Sequence, residues 1–187
     1  MQDRASEMHH HRGKSSERFL NKEIILTELE INPGQTILDA GCGNGYMSKE
    51  FSRILNNTGQ VYALDPDAQA IETLAQEVGG TNIKPLVGDI SQVTELPEAS
   101  IDLIYLATVL HGFSQTEIDG FKKEVKRLLK PQGRLAIVEI NKEPTLFGPP
   151  LNMRFSPQEL INLMSLIPEQ TVAVGEFFYM QTFKNQK

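Results

Sequence analysis

Gly41, Gly43 and Gly45 stand at alternate positions just after the apolar pair Ile37-Leu38 and the acid Asp39. Glycine at each second position lets a backbone bend tightly and approach a ligand closely, because no Cβ intervenes. A helical pattern follows in Tyr46 to Leu55, so the stretch reads as strand, glycine turn and helix. Amides pointing out of such a turn can hold an anion. At the carboxyl end of a first strand, this is a nucleotide-binding loop.

The rest of the chain supplies elements to hold that loop. Its 187 residues suit one domain with a substantial core. Residues 1–16 are polar and aperiodic and are expected to form a mobile arm, with residues 17–187 as the domain. The arm carries His9, His10 and His11, which either touch a ligand or metal or belong to an artificial tail. Phe19, Leu20, Ile24, Ile25 and Leu29 recur at helical spacing before the turn Asn32-Pro33-Gly34. Strands are expected at Thr36 to Leu38, Val61 to Leu64, Ile83 to Val87, Ile101 to Leu106 and Arg134 to Glu139. Pro85 puts the third at an edge or a bulge. Asp67 caps a helix from Ala68 to Val78. Ser114 to Glu117 and Ser156 to Glu159 are capping boxes, opening helices that run to about Leu129 and Leu166. Lys130 to Gly133 reads as a turn, and Asn141 to Arg154 as a proline- and glycine-rich loop over the crevice. Strand-like Gln170 to Val174 and Phe178 to Lys184 are so close that they must pair antiparallel. Five β-α units and a hairpin give an open α/β sheet with one reversed strand.

Composition narrows the function classes. A net charge of −6 argues against a nucleic-acid partner. Lys122, Lys123, Lys126, Arg127 and Lys130 alternate with Val125, Leu128 and Leu129, which is the wet face of an amphipathic helix. The single cysteine, Cys42, excludes an internal disulfide and a cysteine-based metal cage, and no metal is expected. No apolar run approaches the roughly 20 residues of a spanning helix. A soluble cytoplasmic protein is the expectation.

Dinucleotide enzymes use Gly-x-Gly-x-x-Gly or Ala, and here Tyr46 occupies the third small position. Asp39-x-Gly41-x-Gly43-x-Gly45 instead resembles motif I of the class I S-adenosylmethionine-dependent methyltransferases. Asp65 ends the second strand, 20 positions after Gly45, where a carboxylate can accept both hydroxyls of a ribose. Gly88-Asp89-Ile90, Asp102 to Ala107, and Leu129-Lys130-Pro131-Gln132-Gly133-Arg134-Leu135 resemble the family's later motifs. The resemblance spans about Ile24 to Lys184 and is closest to the small ubiquinone/menaquinone-biosynthesis-like methyltransferases.

That resemblance implies a three-layer α/β/α Rossmann-like methyltransferase fold, with a mostly parallel seven-stranded sheet and one antiparallel strand from a C-terminal hairpin. It implies S-adenosylmethionine as cofactor, S-adenosylhomocysteine as product and a small-molecule acceptor. Asp39 would organise the methionine end, with Gly41, Gly43 and Gly45 passing beneath it. Asp65 would hold the ribose, Asp89 with Ile90 would frame the adenine, and Leu106 would offer backbone. Ala40, Pro66 and Gly88 count among the cofactor-binding positions. His111 is either a general base or a wall of the cofactor pocket. Glu139 lies near the acceptor side, or is a strand-end carboxylate satisfied by Lys142. Arg154 orients an anionic substrate or lies on the surface. Two other readings are a cofactor-binding module without turnover and an NAD-dependent oxidoreductase; the oligomeric state is open.

Overall fold

A computed structural model of the chain describes residues 16–186. The His9 to His11 run and most of the expected arm lie outside them. In chain order the elements are a 3-10 turn (Ser16–Phe19), α1 (Lys22–Leu29), β1 (Thr36–Ala40), α2 (Tyr46–Leu55), β2 (Gln60–Asp65), α3 (Ala68–Glu77) and β3 (Ile83–Val87). There follow β4 (Ile101–Ala107), α4 (Gln115–Leu128), β5 (Leu129–Ile140), α5 (Pro157–Leu163), β6 (Ile167–Gly175) and β7 (Phe178–Lys184).

The seven strands run in the order β3-β2-β1-β4-β5-β7-β6. β7 alone is reversed, pairing antiparallel with both β5 and β6. β3, which contains Pro85, is the edge strand, where the missing N–H costs no ladder bond. The central strands bury side chains on both faces. Ile37, Leu103, Tyr105 and Val138 meet Ile25, Met47, Phe51 and Leu74 on the side of α1 to α3. Leu38, Ile104, Leu106 and Ile137 meet Phe121, Val125 and Leu160 on the side of α4 and α5. This is the three-layer sandwich the motifs implied.

Local chemistry sets the helix starts. Asp67 accepts hydrogen bonds from the amides of Gln69 and Ala70, and both capping boxes close, at Ser114/Glu117 and Ser156/Glu159. Asn21 caps α1 by accepting from the Ile24 amide, so Phe19 and Leu20 fall outside the helix. α5 stops at Leu163, and β6 starts earlier than expected, at Ile167. The segment Lys130 to Gly133 corrects the expected turn. It lies within β5, where the register with β4 shifts between Ile101 and Leu103 and Gln132 takes φ +63°. A bulge absorbs the proline and glycine there without ending the strand.

Candidate functional site

The sheet order reverses between β1 and β4, and in open α/β sheets the carboxyl edge at such a switch point is where ligands bind. The glycine loop crosses this edge. The Gly41 and Cys42 amides both donate to the Leu64 carbonyl of β2, at 2.7 and 3.1 Å. The Gly43 amide donates to Asp65 Oδ2 at 2.8 Å, and the Asp67 amide to Asp65 Oδ1 at 2.9 Å. Asp65 therefore braces the loop.

All three glycines have positive φ, but their surroundings differ. A Cβ on Gly41 would lie 2.5 Å from Val109 Cγ2, and one on Gly45 would run into the side chain of Leu74. Those two glycines serve close packing. A Cβ on Gly43 would meet nothing within 4 Å. Gly43 thus presents bare backbone to open space, which a side chain would fill.

Beneath the loop, Asp39 is 3% exposed and its Oδ2 accepts from Ser48 Oγ at 2.5 Å. Burial lifts its carboxyl from 3.8 to about 7; the Ser48 bonds oppose the rise and the nearby Asp65 charge adds to it. Beside Asp39 in the β1–β4 register is Tyr105, whose buried hydroxyl has no hydrogen-bond partner among the described residues. Phe51 packs edge-on against that ring at 5.3 Å. Cys42 is buried within the loop, and burial pushes its thiol up, which makes it an inert spacer.

Pro66 is exposed beside Asp65. The Gly88 amide donates to the Asp65 carbonyl at 3.0 Å. Asp89 Oδ1 accepts from the Ser91 amide at 2.8 Å, and its other oxygen takes no hydrogen bond from the described residues. Ile90 turns its side chain into the core, 3% exposed, so only its backbone can frame a ligand. Ala40 and Leu106 are paired across β1 and β4 with both side chains fully buried, so they too offer main chain alone.

Val109, which touches Gly41, leads into the 3-10 turn Leu110–Gly112 carrying His111. His111 Nδ1 lies 2.8 Å from Glu139 Oε2, and the His111 amide donates to Oε1 at 3.3 Å. Glu139 is 0% exposed. Its partner is thus His111, and Lys142 pairs with Glu159 instead. His111 lines a hollow of about 320 Å³ with Phe113, Met153, Arg154 and Phe155.

Arg154 corrects both expectations for it, because it is 4% exposed and turned inward. Its guanidinium donates to the carbonyls of Asn141, Glu143, Phe147 and Pro149 and to Thr145 Oγ1. These five bonds use all five of its N–H groups. No group of three metal-binding side chains occurs among the described residues, and no described helix is long and apolar enough to cross a membrane.

Residues 37–133 match the methyltransferase domain family, more than half of the chain. The chain is 30% identical over 123 residues to a 2-phytyl-1,4-naphtoquinone methyltransferase of Trichormus variabilis, covering 65% of this chain and 53% of that protein. It is 28% identical over 125 residues to a ubiquinone/menaquinone biosynthesis C-methyltransferase of Hahella chejuensis, covering 65% and 49%. The chain thus spans about half the length of these curated relatives. Among solved structures it is similar to an S-adenosylmethionine-dependent methyltransferase from Aquifex aeolicus, with TM-score 0.81, 26% identity and coverage of 92% and 93%.

Proposed function

Because the chain belongs to the methyltransferase domain family, we propose that it transfers a methyl group from S-adenosylmethionine to a small-molecule acceptor. The observation that carries this reading is Gly43, whose bare backbone faces open space at the point where the sheet order reverses. A cofactor with a sugar and an amino-acid arm needs such a close approach there.

The residues present fit that cofactor. Each Asp65 oxygen takes one backbone N–H and keeps a lone pair for a ribose hydroxyl. Asp39 lies under the loop where the methionine end would rest, and the free oxygen of Asp89 would take the adenine amino group. Gly41, Gly45, Ala40, Pro66, Gly88, Ile90 and Leu106 shape the cradle. When bound, the cofactor supplies a methyl group already activated on a sulfonium sulfur. The chain's own task is to hold an acceptor in line with it, and positioning of this kind supplies several kcal/mol of a barrier.

The hollow beside His111 supports an enzyme over a binding module, since an acceptor side filled by protein would leave no room for turnover. Tyr46 at the start of α2 speaks against a dinucleotide, which requires a small residue at that point. The net charge of −6 supports a small acceptor over a nucleic acid, and the cytoplasm is the compartment we assign.

Calorimetry tests the reading. S-adenosylmethionine and S-adenosylhomocysteine should bind and NAD should not; binding of NAD alone would overturn it. Asp65→Ala should weaken S-adenosylhomocysteine at least tenfold, because it removes the ribose acceptor and the brace on Gly43 together.

A further inference from the structure

Resting on that reading, we propose that His111 and Glu139 form a general-base pair, and that the hollow beside them takes a neutral aromatic alcohol, methylated on its hydroxyl oxygen.

Every charge lining the hollow is already spent within the protein. Lys142 is paired with Glu159. That lysine, with the amide and hydroxyl of Ser156, draws Glu159 down to about 2, so it stays ionised. Arg154 has given all its N–H groups to the loop. Glu139 is committed to the amide and ring of His111. A cationic amine would find no free carboxylate there, and an anionic acceptor no free cation. What remains is the apolar wall of Phe113, Met153 and Phe155, with two uncharged polar side chains among it, the His111 imidazole and the Asn152 amide. Aromatic walls favour a flat partner. About 320 Å³ is at the lower end of small-molecule sites, which suits one or two rings.

The pair is built for proton removal. The Glu139 carboxyl already accepts from the His111 amide, and in the tautomer that also gives it the Nδ1 hydrogen, Nε2 keeps its lone pair. With Nδ1 taken by Glu139, Nε2 is the nitrogen left to the hollow. The second bond, from the His111 amide to the same carboxylate, fixes the residue's main chain as well as its ring. Glu139 is therefore a positioning residue and His111 the catalytic one, as in other histidine bases oriented by a buried acid. The acceptor hydroxyl gives its proton to Nε2. Its oxygen forms the new bond to the methyl carbon as the carbon–sulfur bond breaks, and that bond pair stays on sulfur. The titratable groups facing His111 are Glu139 from β5, Lys142 and Arg154 from the loop, and Glu159 from α5. Tyr179 of β7 lies opposite Glu139 in the register and gives its hydroxyl hydrogen to the Phe155 carbonyl.

Three coumarins of one shape test the assignment: 4-methylumbelliferone, its 7-amino analogue and its 7-thiol analogue, each assayed with S-adenosylmethionine. The hydroxyl compound should be methylated at least tenfold faster than the amine. His111→Gln should cut its turnover about a hundredfold or more and remove the ascending limb of its pH profile. The same variant should lose at least tenfold less thiol turnover than hydroxyl turnover, since a thiol needs a base least. Glu139→Gln should fall between wild type and His111→Gln. Nitrogen-15 NMR of the protein without acceptor should show His111 in its Nδ1–H form, and Glu139→Gln should disturb that form. An Nε2–H tautomer, full hydroxyl turnover in His111→Gln, equal rates on amine and alcohol, or no hydroxyl turnover by protein that binds S-adenosylhomocysteine would each overturn the pair. Calorimetry on every variant separates this outcome from loss of the cofactor reading itself, which would show as no S-adenosylhomocysteine binding in the wild type.

Discussion

Gly43 and Gly45 share a sign of φ and differ in what a side chain would strike. Valine at position 43 enters open space, so its cost to the fold is the left-handed backbone alone, about 1–2 kcal/mol. Its branches would occupy the space assigned to the cofactor. Gly43→Val should therefore fold, shown by circular dichroism, and fail to bind S-adenosylhomocysteine in calorimetry. Gly45→Ala should do the reverse, losing stability against Leu74 before it loses the ligand. Asp39 gives a second test at this scale. Its carboxyl titrates at about 7 in the fold and near 3.8 when unfolded. The folded state thus holds the proton more tightly, and stability present below pH 4 is lost as pH rises to about 7. At 1.4 kcal/mol per decade the loss is on the order of 4 kcal/mol. Asp39→Asn has no proton to lose and can still accept from Ser48. Its melting temperature should rise relative to wild type between about pH 4 and 7, and the gap should stay constant above. Matching curves for the two proteins would show that Asp39 is ionised without penalty.

At the scale of elements, the loop between β5 and α5 is ordered by one side chain and one ring. Arg154 gathers its carbonyls from within. Phe147 stacks on Phe19 at 4.8 Å and meets Phe177 edge-on at 5.3 Å, which ties the loop to the 3-10 turn before α1 and to the hairpin. Arg154→Met removes every bond of the fork at once. It should cost about 2–4 kcal/mol in chemical denaturation, raise the KM for any acceptor and leave S-adenosylhomocysteine affinity near wild type. A matched loss of cofactor affinity would mean that the loop supports the glycine cradle too. The same loop shows what the sequence could and could not disclose. Helix starts at Asp67, Ser114 and Ser156 were legible because a cap bonds to residues two or three positions away. The glycine turn, the edge position of Pro85 and the hairpin were legible for the same local reason. The Lys130 to Gly133 bulge was not, because pairing with β4 overrides turn propensity. Nor was the bond between His111 and Glu139, which joins the turn after one strand to the end of the next across 28 positions. Pattern places residues at the correct sheet edge; only packing decides which of them touch.

At the scale of the whole molecule, the proposed cofactor would lie across the seam of the sheet. β1 and β2 supply Asp39 and Asp65 from one side, and the segment after β4 supplies Val109 and His111 from the other. These strands share one core with α1 to α3 and another with α4 and α5, so the ligand would contact both halves of the sandwich. A ligand bound to the folded state alone stabilises it by RT ln(1 + [L]/Kd), about 2.7 kcal/mol at a hundredfold excess over Kd. For a chain of this size each kcal/mol raises the melting temperature by about 2–4 °C. S-adenosylhomocysteine at that excess should therefore raise Tm by about 5–11 °C in a single cooperative transition. NAD at equal concentration should leave it unchanged. If only part of the transition moved, the ligand would be holding one side of the seam and the assignment of the β4 segment to the site would be lost. If NAD produced the shift and S-adenosylhomocysteine did not, Gly43 would be facing a different nucleotide.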